Sequence, residues 1–251
     1  MRRHALVTGA GSGIGAAIAT ALHASGCSLT LLGRRQAPLD LLASTLGDRC
    51  VVQPTDVTNP EQVASAFEHA NNNLGPVDIL VNCAGMAPTA PFHKIEFSQW
   101  QATLDLNLNG VFHCSQQALP TMREQKWGRI INIASTGSLK GYKYVAGYVA
   151  SKHAVLGLTR SLALEVADAG ITVNAVCPGY TNTDIIQQSI KTIAEKTGRS
   201  EAVALTHFTD SNPMGRLIEP AEVAAAVQWL ASEAAGAVNG QAIALDGGET
   251  S

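Results

Sequence analysis

Residues 148–152 read Tyr-Val-Ala-Ser-Lys and place a phenol and an ammonium four positions apart. On a helix such positions share a face and lie one turn from each other. A phenol with a reference pKa of about 10 is a poor acid or base at neutral pH, and a cation one turn away stabilises its phenolate and lowers that value. Tyr148 and Lys152 are therefore a candidate proton-transfer pair. The plain alternative is a solvated helix surface carrying an amphipathic tyrosine, and the rest of the chain has to decide between the two.

A second stretch with chemistry in it is TGAGSGIG, Thr8 to Gly15, between the apolar run ALVTG and the helix-like AAIATALHASG. Gly9, Gly11, Gly13 and Gly15 let a backbone approach a pyrophosphate, and a helix amino end offers it unpaired N–H groups and a positive dipole. Ser12 and Ile14 complete the expected cradle. Ile14 falls where the last glycine of a strict GxGxxG would stand, so the spacing is TGxxxGxG. A tight turn needs glycine for structural reasons too, but a place after the first strand and before a helix favours nucleotide binding.

In dinucleotide folds an acidic residue about 20 positions on holds the ribose hydroxyl, whereas an arginine accommodates a 2′-phosphate. Here the second strand ends LLGRR, with Gly33 in the acidic residue's place and Arg34 and Arg35 next. Forked guanidinium donors suit a phosphate, so NADP(H) is expected ahead of NAD(H), with two solvated arginines as the alternative. Asp40, inside the following helix, is a poor substitute for the missing carboxylate.

These residues have to be positioned by something, and the chain supplies it. Short apolar runs at 5–9, 28–33, 51–57, 78–85, 128–135, 171–179 and 241–248 alternate with helical periodicity at 14–25, 61–73, 98–126, 148–168 and 220–232. Such alternation implies βαβ units and a mainly parallel sheet covered on both faces. Thr58-Asn59-Pro60-Glu61 and Glu219-Pro220-Ala221-Glu222 supply helix starts. The long stretch 184–216 lacks a clear strand; its composition favours one or two short helices, and its length favours a lid.

At 251 residues the chain suits one large α/β domain. Its formal net charge of -3 points away from nucleic acid and anionic membranes. Five scattered cysteines without CxxC spacing argue against a disulfide framework and a zinc site, and fit a reducing cytosol. Arg2 and Arg3 before apolar residues imitate a signal peptide, but the glycine-rich turn interrupts the run too early. No segment approaches the roughly 20 apolar residues of a membrane span. A soluble, cytoplasmic protein is expected.

Taken in order, TGAGSGIG, Asp56-Val57, NCAG (82–85), Asn107 in LNLNG, Ser135 in INIAS, YVASK, and Pro178-Gly179 followed by Thr183 make the chain resemble the short-chain dehydrogenase/reductase family over essentially its whole length. The departure is Cys83, where the family usually has a second asparagine. The resemblance implies a single Rossmann-type domain over 1–251, a doubly wound, parallel, seven-stranded sheet. It implies that Asp56 accepts from the adenine amino group beside Val57, that Asn82, Ala84 and Gly85 pack against the adenosine ribose, and that Pro178, Gly179 and Thr183 border the nicotinamide. Tyr148 would give a proton to a carbonyl oxygen as hydride arrives, Ser135 would hydrogen-bond the same oxygen, and Lys152 would hold the nicotinamide ribose. Asn107 would keep a water behind Lys152. Each has an ordinary alternative: Asp56 a helix cap, Asn82 a bridge between strand ends, Asn107 a local backbone bond, Pro178-Gly179 a turn. Ser138 is a second serine near Tyr148.

The expected activity is hydride transfer between a nicotinamide cofactor and a carbonyl or secondary alcohol. GRIINIASTG and GITVNAVCPGYTNTD look most like 3-oxoacyl reductases and aromatic polyketide ketoreductases. Met86 to Phe97, Gly137 to Gly147 and the lid would surround the substrate. Lys140 and Lys143 raise the idea of a phosphate-bearing acyl thioester carrier, beside the plainer one of solvated loop lysines. Apolar positions on several sides of 98–126 and 148–168, among them Val111, Phe112, Leu119, Leu156, Leu158, Leu162 and Leu164, fit a homodimer or the family's homotetramer. The competing classes are an NAD-dependent secondary-alcohol, hydroxysteroid or sugar-alcohol dehydrogenase, a silent dinucleotide-binding protein, and a sugar-nucleotide epimerase, for which the segment after Pro178 is short.

Overall fold

Along the first strand, β1 (His4–Thr8), Ala5 and Val7 face one way and Leu6 the other, and all three are fully buried. A strand buried on both faces belongs inside a sheet covered on both sides. The computed structural model describes residues 2–251 and shows that sheet. Its other strands are β2 (Ser28–Gly33), β3 (Cys50–Pro54), β4 (Ile79–Asn82), β5 (Gly128–Ile133), β6 (Ile171–Pro178) and β7 (Ala242–Leu245), in the order β3-β2-β1-β4-β5-β6-β7. Every pairing is parallel. This is the expected doubly wound sheet, with its direction of winding reversing between β1 and β4, where such folds open a crevice.

Helices α1 (Gly13–Ala24), α2 (Gln36–Leu46) and α9 (Pro220–Leu230) cover one face, packing Ile18, Leu22, Leu39, Val223 and Val227 on Ala5 and Val7. On the other, α3 (Pro60–Leu74), α5 (Gly110–Gln125) and α6 (Ala146–Val166) bury Phe67, Cys114, Met122, Leu162 and Val166 against Leu6 and Leu80. The helix starts follow the sequence signals: Asn59 accepts from the backbone N–H of Glu61 and Gln62 at 3.0 Å each. At α9 a capping box forms between Glu219 and Glu222.

Several boundaries differ from those expected, and the lid stretch takes the helical form expected of it. The helix expected over 98–126 is α4 (Phe97–Leu104), a wide π-type turn at Asp105–Asn109, and α5. The wide turn forms where Asn107 turns inward and bonds another segment, which displaces one backbone step of the helical ladder. Strand β4 ends at Asn82 instead of Gly85, and β3 ends at Pro54 instead of Val57. In both, the residues beyond the strand leave the sheet plane to line the crevice. The 184–216 stretch forms two helices, α7 (Asp184–Thr197) and α8 (Glu201–Thr209), with a small core of Ile190, Ala204, Phe208 and Leu217. Its base is closed by a bridge between Thr181 and Ile218.

Candidate active site

Parallel strands deliver all their carboxyl ends to one edge, and a cleft of about 560 Å³ runs along it from β2 to β6. At its centre the chain leaves β1 and enters α1 through the glycine-rich turn. A methyl on Gly15 would stand 2.2 Å from the carbonyl oxygen of Gly9, so only glycine lets the helix start that close to the strand. Gly13 has φ of +53° and faces Thr183 across the cleft. Ser12 makes no side-chain cap on α1, so the first-turn N–H groups are left uncapped beside the cleft, the arrangement an anion could use. Gly9, Ser12, Gly13, Ile14 and Gly15 line the cleft. Gly11 does not: a methyl there would meet Pro38 at 3.1 Å, so its smallness makes room for α2.

Toward one end of the cleft lie Gly33, Arg34, Arg35, Asp56 and Val57. Both arginines are exposed. Asp56 is no helix cap, because Asn59 does that; its Oδ1 accepts from the backbone N–H and hydroxyl of Thr58 at 3.0 and 2.8 Å. Ala84, Gly85, Pro178, Gly179 and Thr183 complete the wall. Asn82 is a correction. Its side chain turns into the sheet and donates to Asn132 Oδ1 at 2.9 Å and to Ser115 Oγ at 3.4 Å, following the same alternation that buries Leu80. The position therefore ties β4 to β5 and α5.

At the other end, β5 hands over to Ser135 and α6 presents Tyr148 and Lys152, all three on the cleft. Ser135 Oγ accepts from Gly137 N at 3.0 Å, which leaves its hydroxyl hydrogen to point at the Tyr148 phenol or at a ligand. A methyl on Gly137 would be 3.3 Å from both that oxygen and the Tyr148 ring, so glycine leaves the serine and the phenol room to approach each other. Lys152 Nζ lies 5.8 Å from the Tyr148 ring centre and donates to Ile133 O at 2.8 Å. That carbonyl is its one hydrogen-bond partner among the described residues, so two N–H donors remain open at the cleft.

The electrostatics differ from the sequence expectation. Burial pushes the Tyr148 phenol above its ordinary value, with the Ser135 hydroxyl pulling the other way. Burial also lowers Lys152 from 10.5 to about 8. Before any ligand binds, desolvation of the phenol outweighs the help of Ser135, and the pair rests as a protonated phenol beside a weakened cation. Cys83, also on the cleft, is inert: burial raises its thiol to about 12.

Asn107 is fully buried and absent from the cleft wall. Its Oδ1 accepts from Met86 N at 2.9 Å, and its Nδ2 donates to Met86 O at 2.9 Å and to Ser151 Oγ at 3.0 Å. Ser151 in turn donates to Tyr148 O at 2.7 Å. Asn107 thus clamps the strand β4 exit to α6, and only one lone pair of Oδ1 is left toward the expected water. A methyl on Gly85 would fall 3.2 Å from that oxygen and 3.6 Å from Lys152 Nζ.

Several contributors have no signature in the sequence. Thr8 Oγ1 accepts from Cys83 N and Ala84 N at 2.9 and 3.0 Å and holds the β4 exit in place. Only the pairing of β1 with β4 shows this. Ser151 sits inside YVASK, but nothing in that stretch announces its bonds. Tyr142 and Glu249 meet across 107 positions of sequence. Lys140, offered as a carrier contact, is a correction: its Nζ pairs with Glu249 Oε1 at 2.9 Å. Ser138 is buried beside the site and does not line the cleft.

A nicotinamide dinucleotide suits this cleft on its own features: a bare helix end, a turn that only glycine at Gly15 lets close so tightly, and an ammonium with spare donors. Comparison with known proteins agrees. Residues 3–194 match the short chain dehydrogenase family. An acetoacetyl-CoA reductase from Shinella zoogloeoides is 39% identical over 99% of this chain and 99% of its own length. A D-beta-hydroxybutyrate dehydrogenase from Rhizobium meliloti (strain 1021) is 34% identical over 100% and 99%. The crystal structure of a variant of actinorhodin polyketide ketoreductase with NADPH superposes with a TM-score of 0.94 at 36% identity, covering 99% of this chain and 97% of that one. The chain belongs to the short-chain dehydrogenase/reductase family, on its ketoreductase side, and is an oxidoreductase that works between a nicotinamide cofactor and carbonyl or hydroxyl substrates.

Proposed function

We propose that the chain is an NADP(H)-dependent ketoreductase of acyl-type ketones, with Tyr148 as the proton donor. The observation that carries this is the meeting of Ser135, Tyr148 and Lys152 at one end of a cleft whose centre is a phosphate cradle. The bound nicotinamide supplies the hydride for the carbonyl carbon. The protein's part is to place the carbonyl and neutralise its oxygen. Ser135, whose oxygen is already committed to Gly137 N, has its hydrogen to give to the substrate oxygen. Tyr148 gives that oxygen a proton, and a phenol held above its ordinary value keeps its proton at neutral pH until the charge develops. The phenolate left behind faces Lys152, whose ammonium it stabilises, and is reprotonated from solvent. The two free N–H groups of Lys152 would bind ribose hydroxyls, and Asn107 with Ser151 would keep α6 in register with the β4 exit.

Exposed Arg34 and Arg35 at the end of β2, with no acid in the place of Gly33, support NADP(H); the actinorhodin ketoreductase variant named above was crystallised with NADPH. The relatives named above divide between a thioester and a free hydroxy acid. Replacing Tyr148 with Phe tests the central claim. A missing general acid costs about 10²- to 10⁴-fold in kcat, with the dissociation constant for NADPH unchanged; a variant that keeps more than about a tenth of the wild-type rate would move the proton donor elsewhere.

Three further features fit this function. Helices α7 and α8, whose base is closed by the Thr181–Ile218 bridge, would serve as the lid. The apolar face of α5 and α6, where Phe112 and Leu164 are 47% and 84% exposed, covers a second copy in a homodimer or homotetramer. All five cysteines are free, which suits a reducing cytoplasm, and no helix among the described residues is long and apolar enough to cross a membrane.

A further inference from the structure

The substrate end of the cleft is backed by a buried acid that the reaction does not use. The side chain of Glu249 is 2% exposed. It is carried there by the turn after β7, in which Asp246 Oδ1 accepts from Gly248 N at 3.0 Å and Oδ2 from Thr250 N at 3.0 Å. The turn is packed hard against the lid's far end: a methyl on Gly247 would stand 2.0 Å from Asn212 Oδ1. So the carboxylate sits on a rigid support.

It also lies directly behind the cleft wall. Its Oε2 is 3.4 Å from where a methyl on Gly179 would be, and its Oε1 is 2.8 Å from the Tyr142 hydroxyl. Gly179 and Tyr142 both line the cleft with Tyr148. The Tyr142 hydroxyl lies 2.7 Å from Thr136 Oγ1 as well. With one hydrogen to give, the phenol donates to the carboxylate and accepts from Thr136, the residue after Ser135. Burial, then the charge of Glu249, push the neighbouring Tyr180 phenol above its ordinary value, so that charge is felt across the cleft wall.

The cations are distributed to match. Lys140 is engaged by Glu249 from outside the cleft. Among the described residues, the cations lining the cleft are Arg34, Arg35 and Lys152. The arginines follow β2, three strands from β5, which is roughly 14 Å at the usual strand spacing. Lys152 belongs to the reacting centre. A substrate carboxylate next to the reacting carbonyl would find no free cation on the cleft wall, and behind that wall a carboxylate whose own partner, Lys140, lies on the side away from the cleft.

From this we infer that Glu249 is a specificity-determining residue, which makes the site select ketones whose neighbouring acyl group is uncharged, an ester or thioester, and reject free β-keto acids. The inference rests on the ketoreductase function proposed above. Like charges without intervening water repel strongly enough to matter, and the rejection needs no contact of its own.

The test uses the full chain, NADPH, and a pair that differs in one charge: methyl acetoacetate and acetoacetate. Wild type should favour the ester by about tenfold or more in kcat/KM. Glu249→Gln keeps the size and an acceptor for Tyr142 but removes the charge; it should raise kcat/KM for the acid several-fold, through KM, and leave the ester's value in place. Lys140→Met, at a half-exposed position, should act oppositely and widen the ratio. A role in folding alone would move both substrates together. Equal use of the two compounds by wild type, or a ratio that neither variant shifts, overturns the inference while the ketoreductase function stands. Failure to reduce either compound or any uncharged ketone overturns both.

Discussion

Replacing Lys152 with methionine should stabilise the apoprotein and abolish its turnover. Burial takes the lysine from 10.5 to about 8. At about 1.36 kcal/mol per pH unit, keeping that ammonium charged below pH 8 costs the fold about 3 kcal/mol. Methionine fills a similar volume without the charge, but leaves Ile133 O, now the lysine's acceptor at 2.8 Å, without a partner. That loss is about 1 kcal/mol. The balance is a gain of about 2 kcal/mol at pH 7, or roughly 4–8 °C in Tm for a chain of this size.

The pH dependence carries the sharper test. Because the folded value lies below the unfolded one, the unfolded chain holds more protons between pH 8 and 10.5, and wild-type stability rises with pH through that window. Below pH 8 both states hold the proton and the whole cost is present. Urea unfolding of both proteins without cofactor, from about pH 6.5 to 10, should therefore show the variant ahead by about 2 kcal/mol at the acid end and the two converging by about pH 10. Groups shared by both proteins cancel in the difference. A variant less stable than wild type at pH 7, or a difference that does not change with pH, would refute the claim that Lys152 is a costly buried cation.

The other expectations are independent of that one. Alanine at both Arg34 and Arg35 should cut kcat/KM for NADPH by about 10- to 100-fold, the worth of lost charge-assisted bonds, while that for NADH stays within about twofold; an equal loss with both cofactors would remove the arginines from the 2′-phosphate. In Tyr148→Phe, tight NADPH binding by fluorescence with turnover reduced by about 10²-fold or more separates a proton donor from a structural tyrosine. Sedimentation velocity should find assemblies of two or more chains, and Leu164→Lys should shift them toward monomer; a wild-type protein that sediments as a single chain would leave the exposed faces of α5 and α6 unexplained.

Much of this site is legible in the sequence because it is built from local geometry. The glycine spacing of the cradle reports a strand-to-helix turn that tolerates no methyl, and the four-residue spacing of Tyr148 and Lys152 reports one turn of α6. Those constraints act between near neighbours, so a linear reading finds them. Residues governed by contacts across the fold are the ones such a reading misplaces. Asn82 turns into the sheet because the alternation of β4 continues to its last residue, against the expectation of a ribose contact. Gly11 has the residue type of the cradle, whereas its surroundings belong to α2. Lys140 and Glu249 are 109 positions apart, and nothing in either neighbourhood announces the other. The wide turn at Asn107 is hidden because the residues of Asp105–Asn109 remain helical in pattern on both sides.

The direction of the Tyr148 shift changes what the tyrosine–lysine pair does. Spacing alone suggests a phenol made acidic in advance, which would favour withdrawing a proton from an alcohol. In the folded chain, burial keeps the phenol protonated and weakens the cation's hold on its own proton. The two shifts have one cause, and each is relieved by the other's charge: a phenolate beside Lys152 removes the lysine's reason to lose its proton, and the ammonium removes the phenolate's desolvation penalty. The favourable interaction is thus small in the resting site and large once a proton has moved to substrate oxygen, which is how a transition state gains more than a ground state. The about 3 kcal/mol that Lys152 costs the resting fold is the same electrostatic term read in the other direction.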